Sequence, residues 1–569
     1  MMKIYLRVTL LTLACFALLF RADGQNQYND QKSMLQKINA LGKDYSSLCS
    51  VRSLIKTAGG NEVVVLTIGT GDKDNKPGIA IVGGTGGSHL LGKELALGFA
   101  SSLLKESSSP EINDLLEKIT FYVFPDITPD ATGQYFSDIK YERSINARPV
   151  DDDRDFTTDE DPYEDLNKDG LITMIRVADP AGTFIEAEED NRIMVPADLA
   201  KGQKGAFSIY TEGIDNDKDG SFNEDGPGGV NFNNNLTFNY EEFGVNAGLH
   251  PVSEPETKAV LDFLFDRFNV YAVFAFGPQD NLGQPMKASE RLTPGQASQQ
   301  AMPPVQFQGQ SQAQMMGQMR QVTGERKFTS ILKSDEVINK LVSDKYHEIT
   351  GMKGAPPAKT EPGNFMEWAY FHYGRYSFST PAWWYPVEKE KNPDVAFLKY
   401  AAENKIENVF VPWAEINHPD FPGKKTEAGG LKPFVTTNPP AEKLEELITK
   451  NYKFIVAIAE MHPELGFLDV KVENKGDNIF RLSLKVHNSG IFATCSQAGE
   501  MNMWTRLMRI SLETADNQKF LSGQKVQRIQ RLDGGKSAEF SWLINGKGSV
   551  KITAGALNAG IITTSAELK

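Results

Sequence analysis

The chain contains little cysteine and no excess of positive charge. Only 3 of its 569 residues are cysteine, and Cys15 lies inside the apolar N-terminal segment. Cys49 and Cys495 fall in what we expect to be different domains, so no disulfide framework is expected. The net charge of -14 argues against nucleic acid or an anionic membrane surface as a partner.

Beyond the N-terminus the sequence has no apolar run long enough to span a membrane. Residues 1–24 carry Lys3 and Arg7 before an apolar stretch over 8–20, and small residues follow up to Gly24. This pattern predicts a signal peptide that is cleaved near Gly24. We therefore expect a secreted, periplasmic or cell-surface protein without a membrane span.

The length and the periodicity predict an α/β domain over residues 25–463. Short apolar runs that end in glycine, such as 61–69 and 77–85, alternate with helical patterns. This order predicts a mostly parallel mixed sheet that is flanked by helices. One helix is expected over 253–268, with Ser253 as its N-cap residue.

Two segments interrupt the α/β pattern, and a different pattern follows it. Residues 131–229 form a polar, acidic insertion, and residues 284–325 are rich in glutamine and methionine, which predicts disorder. From Leu465 onward apolar and polar residues alternate between turn signals. Residues 465–569 are therefore expected to form a small all-β sandwich.

Five segments of the α/β domain occur in an order that is typical of one enzyme family. They are GGTGGSHLLGKELAL (83–97), FPDITPDATGQYF (124–136), GPGGVNFNNNL (226–236), VYAVFAFGPQDN (270–281) and NFMEWAYFHYGRYSFSTPAWW (364–384). Together they resemble the zinc carboxypeptidases, the carboxypeptidase A-like metallopeptidases, over residues 30–460. The chain looks like a bacterial secreted member with a degenerate zinc site. The resemblance implies a carboxypeptidase-like fold and, for an intact member, a zinc cofactor.

The resemblance places the three zinc-ligand positions at Gly86, His89 and Gly277. Catalytic zinc of this family needs two imidazoles and one carboxylate, and a water takes the fourth position. Only His89 has a side chain that can bind a metal, and a single imidazole cannot hold catalytic zinc. We predict that zinc is absent and that His89 is a pocket residue that contacts the ligand.

Other residues of the catalytic machinery are also replaced. The general base falls at Pro381, and the arginine that binds the substrate carboxylate falls at Asn234, beside the retained Asn233. We regard Asn233 and Asn234 as candidate ligand-binding residues. Arg143 or Arg148 matches the position of the family's oxyanion arginine.

The acidic insertion contains three loops with regularly spaced oxygen donors. Ten acidic residues lie between Asp151 and Asp169, against two basic ones. The spacing resembles the start of an EF-hand calcium loop, although the acidic residue expected at position 12 is missing. The alternative is a solvated acidic surface. The candidate calcium ligands are Asp151, Asp153, Asp155, Asp165, Asn167, Asp169, Asp215, Asp217 and Asp219.

Three functions are compatible with these patterns. The first is a non-catalytic member of the family that binds a peptide or a glycan, or that has a structural role. The second is an active metallocarboxypeptidase with an unconventional site. The third is a calcium-dependent adhesive or scaffold protein. Zinc content and peptidase activity distinguish the first two.

Overall fold

The computed structural model describes residues 27–151, 156–218, 220–223, 225–289, 329–358, 361–388 and 391–569. Several predictions lie outside these ranges. They are the signal peptide over 1–24, most of the segment 284–325, and the calcium candidates Asp153, Asp155 and Asp219.

Strands and helices alternate through most of the chain. The strands are β1 Cys49–Lys56, β2 Glu62–Ile68, β3 Gly78–Val82, β4 Thr120–Phe124, β5 Met174–Ala178, β6 Phe184–Glu186, β7 Met194–Pro196, β8 Phe207–Thr211, β9 Val270–Phe276, β10 Tyr376–Thr380, β11 Phe410–Ile416, β12 Thr426–Leu431, β13 Leu465–Asn474, β14 Ile479–Asn488, β15 Arg509–Glu513, β16 Lys519–Ser522, β17 Val526–Arg528, β18 Ser537–Asn545, β19 Gly548–Ala556 and β20 Gly560–Leu568. The longer helices are α1 Gln31–Asp44, α2 Leu90–Lys105, α3 Pro110–Lys118, α4 Pro255–Phe265, α5 Lys333–Thr350, α6 Phe365–Phe371, α7 Pro393–Glu403 and α8 Leu444–Ala459.

The first sheet has six strands in the order β1-β2-β4-β3-β9-β10. Strands β4, β3, β9 and β10 run parallel, whereas β1 and β2 pair antiparallel at one edge. The sheet is therefore mixed and mostly parallel, which confirms the predicted α/β fold class.

Helices cover both faces of this sheet. Along β4, Phe121 and Val123 pack into one apolar cluster with α2 and α8, and Tyr122 and Phe124 pack into a second cluster with α4. Burial on both faces explains why the strands are continuous apolar runs.

The predicted N-cap of α4 is wrong. The helix begins at Pro255, and its N-cap is Glu254 without a side-chain cap bond. The Ser253 hydroxyl instead donates to the Glu254 carboxylate at 2.7 Å and accepts from Asn235 at 3.0 Å. Pro255 suits the first helical position because that position needs no N–H donor.

A second sheet forms from two distant parts of the sequence. Its order is β11-β12-β5-β8-β6-β7, and every pair is antiparallel. Strands β5 to β8 belong to the acidic segment 131–229, and β11 and β12 precede α8. The segment therefore carries strands of its own in addition to acidic loops, which the sequence pattern did not predict.

The C-terminal strands form two four-stranded antiparallel sheets. Their orders are β13-β14-β18-β16 and β17-β15-β19-β20. Inward residues of β14, such as Leu482 and Leu484, pack with Trp542, Ile544 and Ile552 in one apolar core. This arrangement is consistent with the predicted sandwich.

Two further observations concern cysteines and membranes. Cys49 and Cys495 are both buried and carry free thiols. In the part of the chain that the structure describes, no helix combines the length and the apolar character that a membrane span requires.

Candidate functional site

Three loops that follow parallel strands meet at one edge of the first sheet. Strand β3 ends at Val82, β9 ends at Phe276 and β10 ends at Thr380, and the carboxyl ends of parallel strands share an edge. A cavity of about 690 Å³ lies there and is lined by residues of all three loops. We call this cavity the cleft.

The position that the resemblance assigns to the first zinc ligand is a glycine that lines the cleft. A Cβ atom on Gly86 would lie 2.7 Å from Cδ and 3.1 Å from Cγ of Pro278. Such distances are well below van der Waals contact between carbon atoms. The Pro278 ring therefore occupies the space in which a side chain would begin.

The position that the resemblance assigns to the third ligand, Gly277, is closed in the same way. Gly277 directly follows β9, and a Cβ atom there would overlap the hydroxyl of Thr85. Thr85 is 1% exposed, and its backbone carbonyl accepts a hydrogen bond from Asn233 Nδ2 at 2.6 Å. Thr85 therefore has little room to move away from a side chain at position 277.

His89 is the remaining imidazole, and it is committed to a contact within the protein. Its Nε2 donates to the carbonyl oxygen of Pro381 at 3.0 Å, across the cleft. Among the described residues, Nδ1 has no hydrogen-bond partner. Burial lowers the pKa of His89 to about 4, and the bond to Pro381 opposes this shift only in part. The ring is therefore neutral at physiological pH.

Zinc does not fit the residues that are present. Gly86 and Gly277 offer no donor atom, and the Nε2 hydrogen of His89 points at a carbonyl. Pro381, at the position of the base, has no carboxylate. Within the described ranges, no group of three or more His, Cys, Asp or Glu side chains is placed to hold a metal ion. Catalytic zinc needs three protein ligands.

The two candidate asparagines differ in their roles. Asn233 is 1% exposed and connects three segments, because its Nδ2 donates to Thr85 and to Gln279 and its Oδ1 accepts from the Phe365 N–H. Asn234 donates to the Pro362 carbonyl at 3.3 Å. Only Asn233 belongs to the described lining of the cleft, and its amide hydrogens are already used.

Both candidate arginines are bound elsewhere. Arg143 donates to the carbonyl oxygens of Ile145 at 3.0 Å and Asn146 at 2.6 Å. Arg148 lies 3.0 Å from a carboxylate oxygen of Glu254, which is buried. Neither arginine is part of the described lining of the cleft.

The three acidic loops share one backbone geometry. In each loop the first aspartate accepts, through Oδ2, a hydrogen bond from the N–H of the residue five positions later, and that residue has a positive φ. The pairs are Asp151 with Phe156 (3.1 Å, φ +80°), Asp165 with Gly170 (2.7 Å, φ +81°) and Asp215 with Gly220 (3.1 Å, φ +97°). The same turn therefore occurs three times, although Phe156 replaces glycine in the first.

Neighbouring carboxylates of the insertion also bind backbone N–H groups. Glu212 accepts from the N–H groups of Leu166, Asn167 and Thr173. In the loop that begins at Asp165, the Asn167 side chain accepts from the Asp169 N–H at 2.9 Å. Polar side chains of the insertion thus bind the backbone of the acidic loops.

The sequence reading missed the aromatic wall of the cleft. Trp383, Trp384 and Tyr385 follow β10 directly and line the cavity, together with Glu361 from another loop. Trp383 is 6% exposed and Trp384 is 8% exposed. The run of three aromatic residues beside Pro381 is the signal that could have indicated this wall.

Comparison with known proteins supports the family resemblance. Residues 34–169 match the model described as zinc carboxypeptidase, and residues 464–567 match that of a domain of unknown function. Carboxypeptidase M of Mus musculus is 27% identical over 108 residues, which cover 18% of this chain and 24% of that protein. The chain thus spans about a quarter of the length of this curated relative. It carries a zinc carboxypeptidase-family domain.

Solved structures of carboxypeptidases are also similar to the chain. Bovine thrombin-activatable fibrinolysis inhibitor, in complex with tick carboxypeptidase inhibitor, has a TM-score of 0.39 and 13% identity, covering 76% of this chain and 97% of that chain. Carboxypeptidase A from Helicoverpa armigera has a TM-score of 0.41 and 11% identity, covering 80% of each chain.

Proposed function

We propose that this protein binds a ligand in its cleft and does not hydrolyse it. The observation that carries this proposal is that neighbouring residues fill the ligand positions of the zinc site. Pro278 occupies the space beside Gly86, and Thr85 occupies the space beside Gly277. Both positions therefore lack a ligand side chain and also lack the space for one.

The cleft itself has not collapsed. Its volume of about 690 Å³ lies within the range of small-ligand sites. His89 and Pro381 form one of its walls. An open cleft without a metal site supports the binding of a peptide or a glycan, and it does not support turnover.

Metal analysis and peptidase assays test this proposal. The purified protein should contain less than stoichiometric zinc and should not release C-terminal residues from peptides that end in apolar, basic or acidic residues. A matched His89→Gln variant keeps an N–H donor to Pro381. It should bind added zinc as weakly as the unmodified protein, because the proposal gives His89 no zinc to bind. One zinc per chain that is lost in His89→Gln, together with peptide hydrolysis, would contradict the proposal.

We also propose that the acidic insertion binds calcium. The recurrence of one turn at Asp151, Asp165 and Asp215 supports this, because calcium loops of the EF-hand type place a ligand at position 1 and a sharp turn at position 6. A cation that binds only the folded state stabilises it by roughly 2.7 kcal/mol at a hundredfold excess over Kd.

A chelator experiment tests the calcium proposal. Removal of calcium should lower the melting temperature, and Asp165→Asn and Asp215→Asn should reduce the size of this shift. Each substitution keeps an oxygen that can accept the glycine N–H but removes a charge. Glu188→Gln, in an exposed part of the same insertion, serves as the control and should respond like the unmodified protein. Equal melting temperatures with and without chelator would exclude a calcium role.

We further propose that the chain is exported after cleavage near Gly24. The pattern of residues 1–24 supports this. N-terminal sequencing of the protein recovered from outside the cytoplasm should begin at Gln25. Recovery of the uncleaved chain from the cytoplasm alone would contradict export.

A further inference from the structure

Several hydrogen-bonding groups on the walls of the cleft are free. Ser88, Ser144, Thr436 and Tyr385 line the cavity, and within the described part of the chain their hydroxyl groups make no hydrogen bond to the protein. A hydroxyl can both donate and accept. The cleft therefore presents groups that can pair with ligand hydroxyls in either direction.

Aromatic residues also line the cleft. Trp383 and Tyr385 lie 6.1 Å apart between ring centroids, and Tyr385 also packs on Phe397 at 5.1 Å. These contacts hold Tyr385 in place while it stays half-buried at the cavity. Rigid aromatic surface next to polar groups suits a ligand that has both apolar faces and hydroxyl edges.

The charges of the cleft argue against a ligand with a free carboxylate. Its described lining includes the carboxylate of Glu361, a neutral His89, and no lysine or arginine. A peptide C-terminus would bury its negative charge without a cation, which is costly. A neutral ligand avoids this cost.

Aromatic-lined grooves also bind proline-rich peptides, which makes decaproline a necessary competing probe. Two side-chain N–H donors of the cleft are bound within the protein. Here the Trp384 Nε1 donates to the Lys353 carbonyl at 2.8 Å. The Asn233 amide donates to Thr85 and Gln279. Both donors are therefore already used.

The cleft adjoins two other cavities of similar size. Trp383 also lines a cavity of about 640 Å³, and Thr436 also lines one of about 600 Å³. Pro433 is shared by these two cavities. A ligand with several consecutive units can extend from the cleft into its neighbours, whereas a single small molecule cannot.

We propose that the cleft binds a neutral oligosaccharide, with a sugar ring against Tyr385 and with sugar hydroxyls bound by Ser88, Ser144 and Thr436. This inference rests on the proposed binding function and specifies its ligand class.

Calorimetric titration with neutral hexasaccharides tests the inference. The probes are hexamers of glucose, xylose, mannose and N-acetylglucosamine, with decaproline and a pentapeptide with a free C-terminus as competing classes. At least one hexasaccharide should bind with one-to-one stoichiometry. Ser144→Trp should abolish that binding by filling the cleft. Ser108→Trp should leave it unchanged, because Ser108 lies in an exposed turn and is not part of the described lining of the cleft.

A conservative variant distinguishes loss of a ligand contact from loss of the fold. Tyr385→Phe keeps the ring packing and removes one hydroxyl, so affinity should fall roughly threefold to tenfold, as for one hydrogen bond. Absence of hexasaccharide binding, or binding that Ser144→Trp leaves intact, overturns the oligosaccharide inference. Saturable binding of either peptide that Ser144→Trp abolishes also overturns it, but it leaves the proposed function standing. Zinc-dependent hydrolysis would instead contradict the proposed function.

Discussion

Thr85 and Pro278 pack against the two glycines that the resemblance assigns to zinc-ligand positions. Thr85 lies against Gly277, and the Pro278 ring lies against Gly86. Neighbouring side chains therefore fill the space in which a Cβ atom of each glycine would lie. The effect of this packing on stability can be measured by replacing a glycine with alanine.

Gly277→Ala should destabilise the fold by about 2 kcal/mol, because the new methyl group overlaps Thr85. In a protein that already carries Thr85→Ala, Gly277→Ala should destabilise the fold by at least about 1 kcal/mol less. Urea denaturation of the unmodified protein, the two single variants and the double variant measures this coupling. Gly133→Ala is the matched control, since nothing lies within 4 Å of a Cβ there. Additive effects of Thr85→Ala and Gly277→Ala would show that the two residues do not clash.

His89 makes stability depend on pH. The pKa of His89 is about 4 in the folded protein because the ring is buried, against about 6.5 when unfolded. Between these values the unfolded chain binds more protons, so stability falls as pH decreases from about 6.5 to about 4. The loss amounts to roughly 3 kcal/mol.

Comparison with His89→Gln isolates this contribution. Gln cannot titrate but can still donate to Pro381, so the variant should lose roughly 3 kcal/mol less stability than the unmodified protein between pH 7 and pH 4. Denaturant titrations at several pH values measure both profiles. Parallel profiles would mean that His89 remains accessible to protons in the folded state.

At the scale of elements, the three acidic turns are unequal. Gly170 and Gly220 adopt a positive φ without a steric penalty, whereas Phe156 adopts φ +80° with a bulky side chain. Phe156 is 98% exposed, so its ring contributes no packing that would offset the strain. A left-handed conformation costs a residue with a Cβ roughly 1–2 kcal/mol.

Phe156→Gly should therefore raise the free energy of unfolding by about 1 kcal/mol, after the greater flexibility of glycine in the unfolded chain is subtracted. Gly220→Ala, where nothing lies within 4 Å of the new Cβ, should lower it by a similar amount. Thermal or urea denaturation with chelator present separates backbone strain from cation binding. A destabilised Phe156→Gly variant would indicate that the ring has a contact in the native protein.

The second sheet illustrates which elements sequence patterns miss. Strands β6 and β7 have only three residues each, and β12 pairs with β5 across a long separation in sequence. Short strands carry too few residues for an alternating pattern. Acidic loops dominate the composition of residues 131–229, and this composition predicts an insertion made of loops.

At the scale of the whole molecule, buried charged residues join the α/β part to the C-terminal strands. Arg375 is 2% exposed, and it donates to Thr505 at 2.7 Å and to the Trp504 carbonyl at 3.0 Å. Asp335 is 1% exposed, and it accepts from the Gln497 N–H at 2.8 Å. Buried polar groups need such partners to remain stable. We expect both parts to unfold together.

Asp335→Ala should lower the free energy of unfolding by about 3 kcal/mol, because it leaves the Gln497 N–H and the Tyr370 hydroxyl without the carboxylate that accepts from both. Asp344→Ala is the control on the same helix. Asp344 forms an exposed pair with Lys340, and such pairs contribute at most about 1 kcal/mol. Calorimetry should show one transition for the unmodified protein. Equal stability of the two variants would show that Asp335 does not join the parts.

The sequence by itself determined which side chains are missing and which elements are present. The assignment of Gly86, Gly277 and Pro381 to the zinc site rests on the spacing of the motifs around them, and it stays a prediction. The parallel strands and the β-rich C-terminal part could be predicted because periodicity is a local property of the chain. The predicted roles of Asn233, Asn234, Arg143 and Arg148 stay predictions about binding, and the structure adds their contacts.

Only the tertiary structure decided what surrounds the positions that the resemblance assigns to zinc ligands. The contacts of Thr85 with Gly277, of Pro278 with Gly86 and of His89 with Pro381 join residues that are far apart in sequence. Contacts of this kind leave no periodic signal in the sequence. Restoring the ligands of zinc would therefore also require changes at Thr85 and Pro278, because close packing leaves no room for the imidazoles.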